Sequence, residues 1–111
     1  MYVRCAYLVG DVENGKEAEF DAWIDREVGP AIAALPKVRE VRILKARERD
    51  DNAPGVYMTL EHLYDSAEDL KTALATPARD VVLEKLKAIL PLFDGELLHV
   101  NYDVDRRPVA N

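Results

Sequence analysis

A chain of 111 residues, 49% hydrophobic and 32% charged, has the size of one domain with a real core and no room for a cofactor domain beside a substrate domain. No apolar run approaches the roughly 20 residues that cross a bilayer. The formal net charge of -6 is spread without a basic run, so neither a membrane nor a nucleic acid is an expected partner.

Residues 2–10 alternate and are rich in Tyr, Val and Leu, which predicts a first strand ending at the turn signal Gly10-Asp11. This start lacks the basic, long apolar and small-residue regions of a secretory signal, so residue 1 is expected to open a soluble, cytoplasmic protein. The single cysteine, Cys5, can make neither an internal disulfide nor a zinc site alone, which fits a reducing compartment. From Lys16 the period changes: Phe20, Trp23, Ile24, Val28, Ile32 and Leu35 fall on one helical stripe. Pro30 has no N–H for the carbonyl of Arg26 and restricts Gly29, so this helix is expected to kink or stop there and resume over 31–35.

A second strand is predicted over 38–47, a charged surface loop over 48–55, and a third strand over 56–64 that closes a hairpin. In that third strand His62 shares a face with Val56, Met58 and Leu60, while Tyr57 falls on the other. Ser66 with Asp69 resembles a capping box opening a helix over 67–75. Thr76-Pro77 starts another helix, striped by Val82, Leu86 and Ile89 and closed by Pro91 and a turn at Gly95. Residues 96–104 alternate as the last strand, which gives one domain over 1–104 and a patternless tail over 105–111. The order β-α-β-β-α-β predicts an α+β, ferredoxin-like domain: one antiparallel sheet with helices on one face. Strand one is apolar on both faces, interrupted only by Arg4, so something must also cover the second face.

Several short features carry a family resemblance: Phe20, Trp23, Gly29 and Pro30, then Leu35-Pro36-Lys37-Val38, then Ala75-Thr76-Pro77. In these and in element order the chain resembles the dimeric α/β-barrel superfamily, and within it the EthD-like proteins and the antibiotic-biosynthesis monooxygenase relatives. The resemblance implies a homodimer packed sheet to sheet. It also implies a cofactor-independent oxygenase or an isomerase/cyclase acting on a hydrophobic or aromatic small molecule. EthD-like proteins often carry a histidine just before the Gly-Pro pair, where this chain has Val28, so no role of that histidine is carried over.

Tyr7, Trp23, Tyr57 and Tyr102 are candidate ligand-binding residues, grouped with the histidines in a pocket between the broken helix and the sheet. Each has a plainer reading: Trp23 lies on the core stripe, and the tyrosines could be packing residues. His62 and His99 are the candidate catalytic groups, because imidazole titrates near neutrality. Their strand parities place them on opposite faces, with His99 beside Asn101 facing the dimer side, which argues against a shared metal site. No HxH, HExxH, phosphate loop or GxSxG pattern occurs. A non-catalytic ligand-binding or accessory protein is the alternative to an enzyme.

Overall fold

The structure is a computed structural model that describes residues 1–110; Asn111, the end of the predicted tail, lies outside them. Four strands form one antiparallel sheet in the order β2-β3-β1-β4. They are β1 (Tyr2–Val12), β2 (Glu40–Lys45), β3 (Val56–Tyr64) and β4 (Phe93–Asp103), the longest strands lying side by side as β1 and β4. Helices α1 (Glu17–Trp23), α2 (Gly29–Ala33), α3 (Ala67–Leu74) and α4 (Ala78–Ile89) cover one face. This is the expected ferredoxin-like arrangement, and among the described residues no helix is long and apolar enough to cross a membrane.

The Gly-Pro break works differently from the expected stop. Between α1 and α2 the chain forms a π-helical turn, Ile24–Val28, so the helical run passes through Pro30 without ending. In the wider turn the Gly29 N–H donates to the carbonyl of Ile24, and Gly29 keeps a right-handed helical conformation despite the proline that follows. The turn also serves packing. Phe20, Ile24, Val28 and Ile32 recur every four residues, a spacing that drifts about 40° per step around an α-helix; the π turn absorbs part of that drift, and all four are buried. Gly29 brings this stretch against β2, where a Cβ would lie 3.3 Å from Cδ1 of Ile43.

Two glycines that read as turn signals in fact sit opposite each other in the sheet. β1 continues through Gly10 to Val12, and Gly10 pairs with Gly95 of β4, which starts at Phe93 rather than at 96. A Cβ on Gly95 would lie 2.1 Å from the Val9 carbonyl oxygen, and one on Gly10 2.2 Å from that of Asp94. Only a glycine pair lets the two backbones approach this closely, so the residues continue the sheet where they were expected to end it.

Smaller boundaries follow local chemistry. Ser66 caps α3, its hydroxyl accepting from the Asp69 N–H at 3.2 Å. The Thr76 hydroxyl does not cap α4 but donates back to the Ala73 carbonyl at 2.8 Å. Residues 105–110 form no helix or strand, although the Val104 N–H donates to the Met1 carbonyl at 2.9 Å.

The sheet faces two environments. On the helix side Ala6, Leu8, Met58, Leu60 and Tyr64 pack against Phe20, Ile24, Val28 and Ile32 as the main core. On the other side Val3, Cys5 and Leu63 form a small cluster, and around it Leu44, Leu98, Val100 and Tyr102 stay between 41% and 46% exposed.

Candidate functional site

The register decides which polar side chains meet. Arg4 on β1 is paired with His62 on β3 and with Asn101 on β4; two residues on, Ala6 is paired with Leu60 and with His99. Side chains alternate along a strand, so Arg4, His62 and His99 all share the face covered by the helices. This corrects the opposite-face expectation, and it turns His99 away from the open side of the sheet. A cavity of ≈ 100 Å³ lies above this row, walled by Ile32, Leu35, Leu60, Leu86 and Leu97, with Arg4, His62, His99 and Arg79 of α4 as its polar groups.

His62 is the deepest of these, 7% exposed, with Nδ1 2.6 Å from the hydroxyl of the fully buried Tyr64. Burial first, then the nearby Arg4 and His99, lower its pKa to about 4. Burial holds the Tyr64 phenol up at about 12, so this pair is neutral at pH 7. His99 stands at the exposed mouth, and its pKa is lowered by partial desolvation, then by the charges of Arg4 and Arg79. Burial and the like charge of Arg79 also disfavour the charged form of Arg4, but a guanidinium does not lose its proton in a protein. At neutral pH the cavity therefore holds two neutral imidazoles and two fixed positive charges. No acidic side chain lines it among the described residues.

The other candidates lie elsewhere, which corrects the grouping of six residues in one pocket. Trp23 closes the helix layer: its Nε1–H donates to the Lys85 carbonyl at 2.8 Å, and Lys85 in turn pairs with Glu27 at 2.6 Å. Tyr57 sits at a β-bulge, where β3 slips against β1 between Leu8 and Val9. The extra residue turns its ring toward the helices against the expected parity, so it packs on Phe20 and Phe93 and donates to Asp21 at 2.7 Å. Tyr7 and Tyr102 lie on the open face of the sheet, their hydroxyls 2.6 Å apart. Beside them the Cys5 thiol donates to Glu61 at 3.5 Å, and Glu61 is paired with Arg42 at 2.9 Å. Burial and the Glu61 carboxylate push the thiol pKa up, which suits an unreactive cysteine.

Arg4 and Arg79 were not among the residues singled out as functional. The signal for Arg4 was visible as the one charge interrupting an apolar strand face; Arg79, on a mostly wet helix, gave none. Among the described residues no three His, Cys, Asp or Glu side chains are grouped to hold a metal ion, and the two guanidiniums would repel one.

Neither family models nor curated proteins match the sequence. Solved structures do. An EthD-family protein from Bacillus halodurans superposes with a TM-score of 0.73 at 18% identity, covering 95% of this chain and 100% of its own. An antibiotic-biosynthesis monooxygenase, so described as a putative one, from Caulobacter crescentus gives 0.62 at 22% identity over 95% and 91%. SnoaB, a cofactor-independent oxygenase from Streptomyces nogalater, gives 0.60 at 20% identity over 96% and 93%. The chain thus has the ferredoxin-like fold of the EthD-family and antibiotic-biosynthesis monooxygenase proteins.

Proposed function

We propose that the cavity on the helix face binds a hydrophobic or aromatic small molecule, and that His99 and His62 serve proton transfer on it. One observation carries this reading: two imidazoles, neutral at pH 7, share an apolar recess with two positive charges. The chemistry this favours is removal of a proton from a carbon beside a carbonyl group. The proton passes to an imidazole nitrogen of His99, and the C–H electron pair moves onto the carbonyl oxygen, toward positive charge. Returning the proton elsewhere completes an isomerisation, and attack of the carbanion on a second carbonyl closes a ring. Passing its electrons to O2 begins an oxygenation, the type of activity described for SnoaB. His99 is the better base, since His62 is held by Tyr64 and costly to protonate beside Arg4.

A non-catalytic binding protein is the second reading, and the acid-shifted, hydrogen-bonded His62 favours it. Native mass spectrometry of the purified protein tests for the ligand. Once a substrate is found, His99→Gln is expected to lower turnover by roughly 10²- to 10⁴-fold. Unchanged turnover in His62→Gln and His99→Gln would leave only the binding function. The two-faced apolar sheet also supports a homodimer formed through the open face, expected as a doubled mass in light scattering.

A further inference from the structure

We propose that the ligand is a small organic acid, its apolar body against Ile32, Leu35, Leu60 and Leu86 and its carboxylate held between the guanidiniums of Arg4 and Arg79. The inference rests on the cavity being a ligand site and goes further by fixing the charge of what enters.

Two like charges face one recess in a chain whose overall charge is -6. Among the described residues neither arginine makes an ion pair within 4.0 Å, while the cations Lys16, Arg39, Arg42, Lys45, Lys85 and Arg107 all do. The Arg4 guanidinium, partly withdrawn from water, donates to the Asn101 side-chain oxygen at 3.1 Å and keeps its other N–H groups for another acceptor. A half-desolvated cation with a second cation beside it raises the energy of the empty site, and an anion supplied by the ligand lowers it again. A carboxylate matches the planar fork of a guanidinium with two parallel hydrogen bonds, which a neutral carbonyl cannot do. The leucine and isoleucine walls then require the rest of the ligand to be apolar, and the ≈ 100 Å³ volume fits a short chain or part of a ring, with any remainder leaving by the mouth at His99 and Arg79.

The test uses benzoate, cyclohexanecarboxylate and hexanoate, each beside its uncharged amide, titrated into the full chain near neutral pH and followed by ligand-observed NMR. Each acid is expected to bind at least about tenfold more tightly than its amide. Arg79→Gln, at an exposed position, should remove most of that preference without loss of thermal stability, and Arg79→Lys should restore part of it. Arg4→Gln should act in the same direction; if that variant does not fold, Arg79→Gln alone decides. Equal binding of acid and amide would overturn the proposal and leave the cavity reading intact. No binding by any of the six compounds would overturn both. A preference that survives unchanged in Arg79→Gln would remove the carboxylate from the arginine pair.

Discussion

The two faces of the sheet are built from alternate residues of the same strands, yet they treat polar groups in opposite ways. On the open face each polar side chain has a partner from the chain itself: Cys5 with Glu61, Glu61 with Arg42, Tyr7 with Tyr102. On the helix face Arg4 and Arg79 have no counter-charge within reach among the described residues, and two imidazoles stand beside them. Internally satisfied polar groups suit a surface that is to be covered by protein, where unpaired charge is costly. Unsatisfied ones suit a surface whose partner is a ligand. The contrast separates packing from chemistry within one four-stranded sheet.

Breaking the open face is expected to give the largest effect. Val100 is 42% exposed in the single chain, so Val100→Asp should leave the fold intact. In a sheet-to-sheet dimer it would bury two charges, and light scattering should report a single-chain mass. A doubled mass in this variant would mean that the open face is not the contact.

Acid should act first on the helix face. The pKa of His62 falls from about 6.5 to about 4 on folding, so the unfolded chain binds the extra proton. Stability from this group is complete above about pH 6.5 and is lost as pH falls toward 4, on the order of 3 kcal/mol in all. Urea unfolding of wild type and His62→Gln across that range should show a smaller loss in the variant. Parallel curves would mean that His62 is not held neutral by its surroundings.

The smallest contrast is between two phenols. Tyr64→Phe strands a buried imidazole nitrogen and should cost about 1–3 kcal/mol. Tyr102→Phe removes an exposed hydroxyl from Tyr7 and should stay within about 0.5 kcal/mol. Equal costs from denaturant curves would erase the distinction between the faces.

Alternation and helical stripes in the sequence carried the element order, the third strand over Val56–Tyr64 and the Ser66 cap. The site was harder to read. Period two tells which residues of one strand share a face, but not which face of the next strand they join; that depends on register, which long-range pairing sets. His62 and His99 were separated for this reason, although the pairing of Arg4 and Ala6 unites them. The bulge that turns Tyr57 to the helix side has no local signature either. Gly10 and Gly95, each a plausible turn alone, mean something else only as a pair.

The π turn ahead of Pro30 makes the cavity a matter of chain length as well as composition. It holds one more residue than the α turn it replaces. Deleting one residue between Ile24 and Val28 would restore plain α geometry, yet rotate everything beyond it by about 100°. Ile32 and Leu35 would swing off the cavity wall with no change in their identity. A relative one residue shorter at this point would therefore present a different roof to its ligand, and a length difference there would report on specificity as directly as any substitution in the lining.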